Sequence, residues 1–152
     1  SRFDAEAAIL TLNRIDIAAV VRRCAEDLGL LAQEKGTTLR LHGFDSPIFA
    51  EADARRIERI IRNLITNAVD HSESRPIDVT AGESDSAVSI GVRDYGIGLA
   101  KQYWSRAFDR FWRADPSRSR IRGGTGLGLS IAKEDAILHG GDIKVWGEFT
   151  AV

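Results

Sequence analysis

Asp53-Ala54-Arg55-Arg56-Ile57-Glu58-Arg59-Ile60-Ile61-Arg62-Asn63-Leu64-Ile65-Thr66-Asn67-Ala68-Val69-Asp70-His71 reads as one helix, from its capping residue to its last turn. Asp53 is a natural N-cap, because its carboxylate can accept a first-turn backbone N–H. Ile57, Ile60, Ile61, Leu64, Ile65 and Ala68 recur at helical spacing and form a core-facing stripe. Asn63, Asn67 and Asp70 fall within about 60° of one another at the border of that stripe, and Arg56 and Arg59 lie on the same strip. Asparagine is a poor helix former, so two of them in mid-helix lean toward a purpose. Partly shielded amide oxygens suit a hard cation such as Mg²⁺. An ordinary solvated helix flank would account for them equally well.

The flanking sequence alternates between strand and helix signals. Residues 1–12 have weak helical periodicity and read as a linker or the end of an upstream helix. Arg14–Ile17 reads as a short strand whose Asp16 caps a helix over about 17–35, with Val20, Val21, Cys24, Leu28 and Leu31 on one face and a stop at Gly36. Thr37–His42 alternates as a half-buried strand, and Ile48-Phe49 is a short one. Beyond the central helix, Ile77–Ala81 and Ala87–Arg93 read as strands around a Gly82-Glu83-Ser84-Asp85 turn. Residues 103–113 are helical or irregular, and 114–125 have loop composition. A helix over 126–139 stops at His139-Gly140-Gly141, Asp142–Trp146 is a last strand, and Phe149–Val152 is its hairpin partner. This order predicts an α+β fold: a two-layer α/β sandwich, with a mixed sheet covered on one face by about three helices.

Composition narrows the function classes. At 152 residues the chain fits one domain with a real core. A net charge of −1 gives no general attraction to nucleic acid or anionic membrane. One cysteine excludes an internal disulfide framework and a cysteine-clustered metal site. There is no apolar run near the roughly 18 residues a membrane helix needs. A first residue that is not Met and a last strand that stops abruptly lead us to expect a piece of something longer, soluble and monomeric by itself.

Three further segments carry chemistry. Gly123-Gly124-Thr125-Gly126-Leu127-Gly128-Leu129-Ser130 feeds a helix and presents unpaired N–H groups at its positive end, a phosphate-binding arrangement. It fits neither common nucleotide fingerprint. A flexible linker is the plain alternative, against which the interleaved leucines argue. Asp94-Tyr95-Gly96-Ile97-Gly98 follows a strand, and its carboxylate can accept from an amino group such as an adenine N6; a simple Gly turn would look the same. Phe108, Phe111 and Trp112 fit a core anchor, and Arg113, Arg118, Arg120 and Arg122 load the next loop with positive charge.

Taken in order, Asn63-Leu64-Ile65-Thr66-Asn67-Ala68, Asp94-x-Gly96-x-Gly98, Phe108-x-x-Phe111-x-Arg113 and Gly124-x-Gly126-x-Gly128 resemble the N, G1, F and G2 boxes of a known family. That family is the catalytic ATP-binding domain of bacterial sensor histidine kinases, in the superfamily shared with gyrase, Hsp90 and MutL ATPases. Within it the boxes look like those of PrrB-type kinases. The resemblance covers the chain from Arg14 onward, so 14–152 would be the catalytic domain and 1–13 the linker.

The resemblance implies ATP and Mg²⁺ as cofactors, held between the N-box helix and a mobile lid. It implies that Asp94 binds the adenine amino group while Gly96 and Gly98 let the base lie close to the backbone. Asn67 would ligate Mg²⁺, with Asn63 supporting metal or phosphate. Gly124, Thr125, Gly126, Leu127 and Gly128 would cradle the phosphates, and Arg113 with the 114–125 lid would close over the γ-phosphate. One departure is Asp70, with His71 beside it, where the family usually has a phosphate-contacting Lys or Arg; Arg113, Arg118 or His71 would have to substitute. The C-terminal Gly147-Glu148-Phe149 is also shorter than the usual Gly-rich hairpin.

ATPases of the superfamily resemble one another in carrying a Glu, four residues before the metal-binding Asn, that activates water. Here that position is Asn63, an amide without useful basicity. A protein kinase is therefore expected rather than an ATPase. His42, His71 and His139 lie outside any phosphoacceptor-like motif. The acceptor is expected on a separate dimerisation domain, with a response regulator as onward partner and no nucleic acid. The parent is expected to be an inner-membrane sensor with this domain in the cytoplasm. A stand-alone serine kinase of the anti-sigma-factor type and a degenerate nucleotide-binding module are the alternatives.

Overall fold

The computed structural model describes residues 9–96, 98, 101–110 and 128–144. Its elements run β1 (Asn13–Asp16), α1 (Ile17–Glu34), β2 (Leu39–His42), β3 (Phe49–Ala52), α2 (Ala54–His71), β4 (Ile77–Glu83), β5 (Val88–Arg93), a 3-10 turn (Lys101–Arg106) and α3 (Gly128–Leu138). Strand β4 lies between β2, its parallel partner, and β5, its antiparallel one. The sheet is mixed, as expected, but β1 and β3 form a separate antiparallel ribbon.

Alternation along the sheet separates two faces. Ile77, Val79 and Ala81 of β4, with Val88, Ile90 and Val92 of β5, pack into the core with Ile61, Ile65 and Ala68 of α2 and Val20, Val21 and Cys24 of α1. Arg40, His42, Asp78, Thr80, Gly91 and Arg93 occupy the intervening positions and face away from the helices. Burial raises the pKa of the Cys24 thiol, as suits a packing residue.

Both expected caps form. Asp53 Oδ1 accepts the Arg56 N–H at 3.3 Å and opens α2. Asp16 Oδ1 accepts the Ala18 N–H at 3.0 Å, and also the Ile48 N–H at 3.0 Å, which ties the start of α1 to the approach to β3. The helix α1 ends before Gly36, whose φ of +74° favours glycine.

The C-terminal segment differs from its sequence reading. Residues 142–144 form no strand. Asp142 Oδ1 accepts the Ile143 N–H at 2.8 Å and pairs with Lys133 Nζ at 2.9 Å, while Lys133 Nζ donates to the Ile143 carbonyl at 3.2 Å. These local bonds occupy the groups a ladder would have used. The rest of that strand and the hairpin partner Phe149–Val152 lie outside the described residues.

Candidate functional site

The helix α2 organises the site because its polar border meets α3 at one level and the end of β5 at another. Asn63 and Asn67 are half-buried on it, as is Asp70. A Cβ built on Gly128 would stand 3.8 Å from the Cβ, Cγ and Oδ1 of Asn63. The first residue of α3 therefore rests against the Asn63 amide, and the positive end of that helix opens beside it. Two of the expected site elements are thereby in contact.

Two turns further along α2, about 12 Å by helical rise, the chain after β5 closes onto the helix end. A Cβ at Gly96 would come within 1.8 Å of the His71 carbonyl oxygen, so only glycine fits. Gly98 has a φ of +78°, the left-handed region. Asp94 Oδ1 accepts the Gly96 N–H at 3.0 Å, which folds the turn. Burial pushes the Asp94 carboxyl above its ordinary pKa, against smaller lowering by that N–H and by the nearby His71. A partly desolvated carboxylate is a strong acceptor for a donor brought into its pocket. His71 thus stands with Asp94 and Gly96, at the opposite end of the polar strip from Asn63.

The residues that follow the 3-10 turn dock on α3. Lys133 Nζ lies 4.4 Å from the centre of the Phe108 ring, and Arg110 Nη2 donates to Glu134 Oε1 at 2.6 Å. Arg113, Arg118, Gly124, Thr125, Gly126 and Leu127 lie outside the described residues, as does the expected lid.

For a metal ion the donor set is selective. Among the described residues no three His, Cys, Asp or Glu side chains cluster to hold one. The amide oxygens of Asn63 and Asn67 are hard donors on the strip, beside the Asp70 carboxylate. That pairing fits Mg²⁺, which characteristically takes one or two protein oxygens and completes its shell with phosphates and water.

Arg56 and Arg59, which share the strip, are committed elsewhere. Asp135 of α3 is 1% exposed and accepts from Arg56 Nη1 at 2.9 Å and from Arg59 Nε at 2.7 Å. His139 completes the junction: its Nδ1 donates to the Asp135 carbonyl at 2.8 Å, and its Nε2 accepts the Asp53 N–H at 3.0 Å. Asp135 falls inside the helix expected over 126–139, where nothing in the sequence singled it out, and His139 falls at its expected stop.

A protein-family model described as "Histidine kinase-, DNA gyrase B-, and HSP90-like ATPase" matches residues 52–151. The chain belongs to that family. The recognition made from its four boxes is borne out. Sensor histidine kinase MtrB of Mycobacterium leprae is 47% identical over 148 residues, covering 97% of this chain and 26% of the relative. AfsQ2 of Streptomyces coelicolor, a signal transduction histidine-protein kinase, is 39% identical, covering 94% of this chain and 25% of the relative. The chain thus spans about a quarter of the length of these relatives, and the name carried by several at 45–47% identity is MtrB rather than PrrB. Among solved structures, full-length ShkA in complex with AMPPNP superposes with a TM-score of 0.78 at 31% identity, covering 93% of this chain and 29% of that one. The mycobacterial sensor histidine kinase MprB, at 23% identity and a TM-score of 0.71, covers 86% of this chain and 81% of its own and supports the fold.

Proposed function

We propose that this chain binds Mg²⁺-ATP along α2 and donates the γ-phosphoryl group to a histidine on a separate dimerisation domain of the same sensor kinase, for onward transfer to a response regulator. In this step the bond from the γ-phosphorus to the β–γ bridging oxygen breaks and a phosphorus–nitrogen bond to the acceptor imidazole forms. The observation that carries the reading is the layout of α2. The Asn63–Gly128 contact lies at one level and the Asp94–Gly96–His71 closure at the other, so one helix presents a phosphate end and a base end.

Asp94 is assigned to the adenine amino group, with Gly96 and Gly98 leaving room for the base. Asn63 and Asn67 would hold Mg²⁺, which when bound neutralises phosphate charge. Gly128 would begin the phosphate cradle together with residues 124–127, and Arg113 and Arg118 would supply cations to the γ-phosphate. His71 lies beside Asp94 and Gly96, which supports assigning the charge missing at Asp70 to these arginines. Asn63 offers no basicity to activate water, so transfer to an acceptor is favoured over hydrolysis. Residues 14–152 are assigned to the catalytic domain and 1–13 to the connection with the dimerisation domain.

No helix among the described residues is long and apolar enough to cross a membrane. The inner-membrane sensor is the proposed parent, with this domain on the cytoplasmic side. The chain is tested with γ-labelled ATP and Mg²⁺, alone and with the dimerisation domain of its parent added. Label should appear on the added domain as acid-labile phosphohistidine and not on this chain. Labelling of His42, His71 or His139 in the chain alone, or of a serine in the added domain, would contradict the proposal.

A further inference from the structure

Asp94 is held in place from the other side of the sheet. By strand alternation Asp94 turns toward α2 while its neighbour Tyr95 turns to the outer face. There the Tyr95 hydroxyl donates to Asp78 Oδ2 at 2.6 Å. Asp78 sits in the middle strand, with its side chain 15% exposed, and collects further donors. Arg40 gives Nε to Oδ1 at 2.7 Å and Nη2 to Oδ2 at 2.9 Å, and His42 Nε2 donates to Oδ1 at 2.8 Å. Arg93 lies over the Tyr95 ring, 4.8 Å from its centre. The Tyr95 backbone is fixed as well, since its carbonyl accepts from Arg75 Nη1 at 3.0 Å. Side chain and main chain of Tyr95 are therefore both anchored, one residue from Asp94.

This arrangement exceeds what holding the strands together requires. β4 and β5 already pair from Asp78↔Arg93 to Glu83↔Val88, and β2 pairs with β4 from Leu39↔Ile77 to His42↔Thr80. Tyr95 lies beyond the last of these pairs, where the chain leaves the sheet. Without an anchor, the turn carrying Asp94 would be set, among the described residues, by the Gly96 N–H bond and the Gly96–His71 contact. A bidentate arginine restricts Asp78 to one orientation, and so restricts the point from which Tyr95 is held. Orientation matters at Asp94 because a single carboxylate oxygen must meet an amino hydrogen at hydrogen-bond distance and angle.

We propose that Tyr95 and Asp78 are positioning residues for base selection: a latch across the sheet that fixes the Asp94 carboxylate toward the 6-amino group of a purine nucleotide. This rests on the assignment of Asp94 to the adenine. The hollow on the outer face, lined by His42, Asp78, Thr80, Gly91, Arg93 and Tyr95, is then the back of the nucleotide site.

The test compares affinities of the chain for ADP and for inosine diphosphate, which carries an oxygen in place of the 6-amino group. Wild type should favour ADP by about tenfold or more, and Asp94→Asn should collapse that ratio toward one. Tyr95→Phe should lower the ratio about fivefold while the chain keeps its circular dichroism, and Asp78→Asn should lower it in the same direction. A merely structural loss would weaken both nucleotides alike and leave the ratio unmoved. If Asp94→Asn collapses the ratio and both Tyr95→Phe and Asp78→Asn preserve it, the latch is wrong and the adenine assignment stands. If Asp94→Asn itself preserves the ratio, or wild type binds neither nucleotide, the adenine assignment fails and the latch with it.

Discussion

The two ends of α2 use shielded aspartates in opposite ways. At the N-terminal end, Asp135 meets Arg56 and Arg59, its main chain holds His139, and His139 in turn takes the Asp53 N–H. The effect of this cluster is to lock α3 against α2. At the C-terminal end, Asp94 is half-buried and accepts the Gly96 N–H at 3.0 Å, and desolvation raises its pKa. That carboxylate is costly to keep ionised until a donor arrives. A buried charge matched by two arginines holds a fold together, whereas a carboxylate whose pKa desolvation raises is a candidate for a ligand.

The comparison breaks most visibly at Asp135. Asp135→Asn leaves two arginines facing a neutral amide and should cost about 3 kcal/mol. Thermal unfolding should shift down by roughly 6–12 °C, with nucleotide affinity of the folded protein at low temperature within about twofold of wild type. A variant that kept its Tm but lost the nucleotide would place Asp135 in the site rather than in the scaffold. Gly96→Ala comes next. Its methyl group would collide with the His71 carbonyl, so the turn must move, at about 1–3 kcal/mol. Because the moving turn carries Asp94, affinity and Tm should fall together, unlike at Asp135. Calorimetry beside a melting curve reads both.

The smallest expected effect is on the acid side. Hydrogen bonds from Arg40, then Tyr95 and His42, hold the Asp78 carboxyl well below its ordinary range. Backbone N–H groups hold Asp16 and Asp53 low as well. A carboxylate with a depressed folded pKa contributes stability that is whole above its unfolded value, about 3.9, and is lost as pH falls through the folded one. The chain should therefore lose stability progressively below about pH 4, and Asp78→Asn should make that limb shallower. Asp94 has the opposite sign: its raised pKa means that the ionised form costs stability as pH rises. Asp94→Asn should accordingly melt no lower than wild type at neutral pH without nucleotide.

Much of this molecule was legible in its sequence because the signals were periodic or local. The stripe from Ile57 to Ala68, the caps at Asp16 and Asp53 and the alternation over Val88–Arg93 each depend on nearby residues. The four boxes led to the family because their order is itself a pattern. What escaped depends on partners distant in sequence. Asp78 and Tyr95 are 17 residues apart and Arg59 and Asp135 are 76 apart, and no local spacing announces either pair. The strand expected from Asp142 failed for a related reason: Lys133 on α3, ten residues before Ile143, takes the Ile143 carbonyl a neighbouring strand would need. Arg56 and Arg59 shared a strip with Asn63 and Asn67, and only the position of Asp135 separates scaffold from site along it.

The account stands most directly on Asp94. We would titrate Mg²⁺-ATP into the wild-type chain and into Asp94→Asn by calorimetry, with a melting curve of each. The account predicts micromolar-range binding to wild type of about −8 kcal/mol. It predicts binding at least about tenfold weaker in a variant that melts no lower than wild type. Equal binding by the two proteins, or none by a folded wild type, would contradict it.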